Sequence, residues 1–191
     1  LDDPALIAKA RSRLDLVVDG VNKGGESLVY WQPREILDAE MDKANGPFNN
    51  WAHSHMGRAL VAYYQATGER RILDALIKAY RDYRLPEFQA GFYPVNGMVN
   101  LDPMLDTYMM SGDEKLLANA IAAVRRPGFE KIIAQWNGGE IAHGHTVIFY
   151  ENARVPALMY PWTGDRGLLD ATLGAIDWAE RRHGLPLGLV S

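Results

Sequence analysis

Tyr64-Gln65-Ala66-Thr67-Gly68-Glu69, Tyr108-Met109-Met110-Ser111-Gly112-Asp113 and Tyr160-Pro161-Trp162-Thr163-Gly164-Asp165 align without gaps. Their glycines stand 44 (112 − 68) and then 52 (164 − 112) residues apart. Glycine ends a helix because it enters the left-handed conformation without a Cβ penalty. The Thr or Ser before it suits a turn, and the acid after it suits the next helix start. Apolar residues follow each glycine at matching offsets: Ile72, Leu73, Ile77 and Tyr80; Leu116, Leu117, Ile121 and Val124; Leu168, Leu169, Leu173 and Ile176. That spacing puts them on one helical stripe. Each copy therefore predicts a helical hairpin closed by a short turn.

Working outward, the first helices of the hairpins read as Met56 to Ala66, Leu101 to Met110 and His145 to Trp162, the last kinked or broken at Pro156 or Pro161. A further helix is expected from Pro4 to Val21, started by Asp2 and Asp3 and carrying a stripe of Leu6, Ala10, Leu14, Val17 and Val21. One more is expected over Pro33–Ala44. Residues 85–100 and 127–144 read as long loops, and no strand period stands out. The prediction is an all-α chain forming one domain over residues 1–191. Its hairpins lie around 55–83, 101–126 and 145–182. Repeats of this length with long loops at one end suggest a toroid, part of an (α/α)6 barrel. A ring of six hairpins needs roughly six such periods, so 191 residues make about half. The turns would mark one face of the ring and the long loops the other.

Net charge is −4, with both signs mixed along the chain, which gives no electrostatic reason to expect nucleic acid or an anionic membrane as partner. No apolar run reaches the roughly 18 residues of a membrane span. There is no cysteine, so no disulfide, thiolate metal site or cysteine nucleophile lies within this chain. The start at Leu1 and the apolar end Gly188-Leu189-Val190-Ser191 read as a processed or cut chain. Nothing marks a compartment: a soluble chain, cytoplasmic or exported, fits, and so does a homo-oligomer.

Four of the five histidines form two pairs, His53-Ser54-His55 and His143-Gly144-His145, each at the start of a hairpin. Equivalent positions of neighbouring hairpins share a rim, so the pairs are expected to converge. Imidazole donates to and accepts from sugar hydroxyls, or moves protons. Aromatic rings stack on sugar faces, and Tyr30, Trp31, Trp51, Phe92, Tyr93 and Trp136 lie in or near the long loops; Trp51, four residues before His55, is the strongest of them. The expected substrate-binding set is His53, His55, His143, His145, Trp51 and Glu151. Asp102 and Asp106 stand i, i+4, which suits either paired-carboxylate chemistry or a solvated face. Metal binding is the weaker reading: the His pairs lack an obvious third ligand, with Asp102, Asp106, Glu140 and Glu151 as candidates. No metal site is expected within the chain.

The run from His55-Met56-Gly57-Arg58-Ala59-Leu60 to Thr67-Gly68, the His145 to Thr163-Gly164-Asp165 segment and Gly184-Leu185-Pro186-Leu187-Gly188 resemble the β-L-arabinofuranosidase family, glycoside hydrolase family 127. The resemblance covers about residues 50–191. It implies an (α/α)6 catalytic barrel in which His55 and His145 hold a terminal arabinofuranose. It also implies a zinc-bound cysteine nucleophile and a glutamate acid/base, with the remaining zinc ligands, all placed after residue 191. On this reading no catalytic residue is expected in the chain, which binds no cofactor itself, and zinc belongs to the full-length parent. The substrate would be an oligosaccharide or glycoside. Two alternatives stand beside it: another α/α-barrel sugar enzyme (an epimerase using paired histidines, or an unsaturated-uronyl hydrolase), and a non-catalytic helical-repeat module binding carbohydrate or protein.

Overall fold

The computed structural model describes residues 3–22, 28, 50–81, 96–139 and 146–184. Among them every element is helical: α1 (Pro4–Asn22), α2 (Asn50–Thr67), α3 (Arg70–Arg81), a 3₁₀ turn (Asn96–Asn100), α4 (Leu101–Ser111), α5 (Glu114–Val124), α6 (Pro127–Asn137), α7 (Thr146–Ala153), α8 (Val155–Thr163) and α9 (Arg166–His183). The helix expected over 33–44 lies outside the described residues.

The repeated signature is a turn built in one way three times. Gly68, Gly112 and Gly164 have φ of +67°, +70° and +67°. Each glycine N–H donates to the carbonyl of the signature tyrosine, Tyr64, Tyr108 or Tyr160, at 2.7, 2.7 and 2.9 Å. The hydroxyl of Thr67, Ser111 or Thr163 accepts the N–H of the following acid. Asp113 and Asp165 then cap the next helix, their Oδ1 atoms accepting from Lys115 N and Gly167 N. Glu69 is longer and does something else, described below.

The expected stripe is buried or half-buried after the first two turns, and it fails after the third. Offsets of 4, 8 and 11 from the glycine are buried in all three copies: Ile72, Leu76 and Ala79; Leu116, Ala120 and Ala123; Leu168, Thr172 and Ala175. Leu173 and Ile176, expected in the core, are exposed. On α9 the inward face is Leu168, Ala171, Thr172, Ala175 and Ala179, while Leu173 and Ile176 face out.

By packing, the chain divides into two compact units. The first is Leu1–Arg84 with Asp102–Leu117. Here α2 and α3 form the first hairpin, and α1 packs on α3. Asp3 Oδ1 caps α1 by accepting from Ala5 N at 2.8 Å. Only the second half of α1 is buried, through Val17, Val18 and Val21, and Leu6, Ile7 and Leu16 are exposed. The stripe expected along the whole helix thus holds for its C-terminal half. Glu69 joins Arg11 and Arg71, and Arg71 also reaches Asp15, so the first turn is tied to α1. Lys78 Nζ donates to the Val21 carbonyl at 2.7 Å, at the end of α1.

Two ion pairs orient α4 in this unit. Arg58 meets Asp102 at 2.7 Å, and Arg81 meets Asp113 at 3.5 Å. Asp102 and Asp113 are 11 residues apart (113 − 102), roughly 16 Å along a helix. Yet Gly57, next to Arg58, lies level with Tyr80, next to Arg81. Asp102 in the first turn of α4 and Asp113 just past its end are thus both tied to the α2–α3 hairpin. The second turn sits beside the end of α3, the end that also holds the start of α2. The expected separation of a turn face from a histidine face does not hold in this unit.

The second unit is Leu85–Leu101 with Ala118–Ser191. Its α6, α7 and α8 pack on α9. Residues 127–137, expected as loop, form α6 instead: Pro127 opens it, Gly138 and Gly139 (φ +74°) close it, and Phe129 and Trp136 are buried. Trp136, Phe149, Ala153, Ala171, Ala175 and Ala179 share one core cluster. The small face of α9 admits a close neighbour: a Cβ on Gly174 would stand 3.2 Å from the Trp136 carbonyl. The segment expected to kink at its prolines breaks at Arg154, before Pro156, whereas Pro161 lies inside α8. Thr172 staples that break. Its hydroxyl donates to the Ala153 carbonyl at 2.6 Å and accepts from Ala157 N at 3.0 Å, serving one orphan group from each helix end.

Candidate functional site

α2 has two faces. His53, Ser54, Gly57, Leu60 and Val61 are buried. Trp51, His55 and Arg58 recur at i, i+4 and i+7 on another face, where Trp51 is half-buried and His55 and Arg58 are exposed. The helical period therefore separates the two histidines of the first pair.

His53 is 0 % exposed and sits edge-on to the Tyr80 ring, centroids 5.0 Å apart, while the Tyr80 hydroxyl donates to the His53 carbonyl at 3.4 Å. The expectation that His53 binds substrate is corrected: the ring is packed under Tyr80, and a bound molecule does not reach it. His55 keeps the expected exposure. Its Nδ1–H donates to the Trp51 carbonyl at 2.7 Å. A carbonyl only accepts, so in the neutral ring the proton is on Nδ1 and Nε2 is an acceptor.

Across from this stripe, Asp102 and Asp106 project from the first turns of α4. Arg58 Nη2 donates to Asp102 Oδ2 at 2.7 Å. Asp102 also lies in the first turn of α4, where the helix dipole favours its charge. Asp106 is half-buried. Burial, and then the Asp102 carboxylate, raise its carboxyl above the ordinary aspartate range, against the pull of Arg58. Asp106 is thus pushed towards protonation. The sequence showed the i, i+4 pairing; the Arg58 contact comes from a residue 44 positions away.

The remaining expected residues are spread. His143, His145 and Glu140 lie outside the described residues, as do Tyr30, Trp31, Phe92 and Tyr93. Glu151 is half-buried on α7, and Trp136 is a core residue of α6, not a loop aromatic. Among the described residues no group of three His, Cys, Asp or Glu side chains is placed to hold a metal. The thiolate donors that the resemblance implies for zinc are missing from this cysteine-free chain, so its residues do not fit that centre and no step is routed through it. Among the described residues no helix is long and apolar enough to cross a membrane.

No protein-family model, curated protein or solved structure matches this chain.

Proposed function

We propose that this chain is the substrate-binding portion of a glycoside hydrolase acting on terminal L-arabinofuranosyl or related residues. The sugar is held by Trp51, His55 and Arg58 of α2 together with Asp102 and Asp106 of α4. The observation that carries the reading is His55, an exposed imidazole whose ring is fixed by its bond to the Trp51 carbonyl. A fixed Nε2 acceptor reads the direction of a hydroxyl, and the carboxyl groups of Asp102, bonded to Arg58, and of Asp106 supply further partners for hydroxyls. An indole beside them offers a flat face for a sugar ring.

The reading extends, on the strength of the resemblance alone, to His145 and to the (α/α)6 barrel, and, from the sequence pattern, to His143 and Glu151. The hydrolytic step itself, transfer of a glycosyl group to water, is assigned to groups that the resemblance places after residue 191. The burial of His53 weighs against the epimerase alternative, which wants both histidines of a pair at the substrate.

The test is hydrolysis of chromogenic L-arabinofuranosides by the full-length parent protein carrying His55→Ala or His145→Ala. The reading expects kcat/KM to fall by at least tenfold in each. Wild-type kinetics in both variants would remove the assignment.

A further inference from the structure

The site carries an uneven charge. The Arg58 guanidinium is already matched by Asp102 at 2.7 Å. Asp106 stands one turn further along α4, close enough to feel both. Among the described residues, the charged groups that act on it are Asp102 on its own helix and Arg58 on α2, with His55 on the same face of α2 as Arg58. Arg81 of α3 is engaged by Asp113 at the far end of α4. When Asp106 ionises, the cluster of Arg58, Asp102 and Asp106 carries a net charge of one negative unit (+1 − 1 − 1). A site built around an exposed arginine would ordinarily favour an anionic sugar; this one has its arginine spent.

Resting on the function proposed above, we infer that Asp106 is a specificity-determining residue that admits neutral sugars and turns away those bearing a carboxylate. Its carboxyl group hydrogen-bonds hydroxyls in either protonation state. A uronate placed on the same face would bring a second negative charge near an ionised Asp106. Across a partly exposed gap of about 6 Å, that repulsion weakens binding by about tenfold. Asparagine has nearly the same shape and keeps hydrogen bonding without the charge.

The experiment is calorimetry with the whole chain, wild type and Asp106→Asn, against a neutral methyl glycoside and the matching methyl uronide at pH 7. The wild type should bind the uronide about tenfold more weakly than the neutral sugar. In Asp106→Asn that gap should close to about twofold. Repeating the titrations at falling pH supplies a second readout. With falling pH the gap should narrow more in the wild type than in the asparagine variant, because only the wild type has Asp106 to protonate. If Asp106→Asn does not fold, the wild-type pH series alone decides. An equal gap in both proteins, or a wild-type gap indifferent to pH, would overturn the charge filter and leave the sugar site standing. Binding of neither sugar by the wild type would overturn both.

Discussion

Gly57 is the place where the first hairpin and α4 meet most tightly, and Gly57→Ala tests the packing account. A Cβ there would overlap the Tyr80 hydroxyl and stand 3.0 Å from both Tyr80 Cζ and Pro103 Cβ. Neither neighbour yields cheaply: Tyr80 is 0 % exposed and Pro103 is a rigid ring in the first turn of α4. Overpacking of this kind costs about 1–3 kcal/mol. The Tyr80 bond to the His53 carbonyl is long at 3.4 Å, so its loss adds less than about 1 kcal/mol. Against these, alanine in a helix interior regains up to about 1 kcal/mol of propensity. The net expectation is a loss of roughly 1–3 kcal/mol, or about 2–4 °C of Tm for each kcal/mol in a chain of this size. Thermal unfolding followed by far-UV circular dichroism reads it. Gly57→Ala with Tyr80→Phe should recover part of the loss, because the hydroxyl is the worst overlap. A Tm for Gly57→Ala equal to or above wild type would mean that helix propensity decides here and that this contact is not tight.

The other predictions follow from single groups. Replacing Gly112 or Gly164 by alanine puts a Cβ at φ near +70°, which costs about 1–2 kcal/mol of stability in denaturant titrations; no loss at either site would refute the turn geometry. Thr172→Val removes the donor to Ala153 and the acceptor for Ala157 N inside the second unit, at a cost of about 1–3 kcal/mol; the check is the midpoint of urea unfolding. Asp106 binds its proton more tightly in the folded chain than in the unfolded one, so its stabilising effect is present at low pH and is lost as pH rises through its raised folded value. Asp106→Asn should therefore gain stability relative to wild type as pH rises from about 4, and a difference that is constant with pH would contradict the burial of that carboxyl.

The fold was legible wherever one residue has one physical use. The three turn glycines announced left-handed backbone, and the structure puts all three there. Their hydroxyl and acid neighbours announced a cap, and two of the three acids make it. What was missed came from weighing residues by size. Leu173 and Ile176 outrank alanines in any hydrophobic count, but α9 turns Ala171, Ala175 and Ala179 inward because Trp136 and Phe149 already fill the space opposite. Helix α6 was passed over as loop although Pro127, Ile132, Ile133 and Trp136 carry a start signal and a helical period; the glycines that follow drew the whole stretch into one reading. At the site, the two histidines of His53-Ser54-His55 stand about 200° apart around a helix, two steps of about 100°. That rotation buries one ring and exposes the other. The ties of α4 and the second turn to the first hairpin depend on contacts between residues more than 30 positions apart, which no local pattern encodes.

The central claim is that the face bearing Trp51, His55 and Asp106 holds a sugar. Its most direct test is calorimetric titration of the chain with methyl L-arabinofuranoside, comparing wild type with His55→Ala, each verified as folded by circular dichroism. The account predicts saturable binding to the wild type, weakened at least tenfold in His55→Ala. No heat with this or any other mono- or oligosaccharide, or equal affinity in the two proteins, would contradict it.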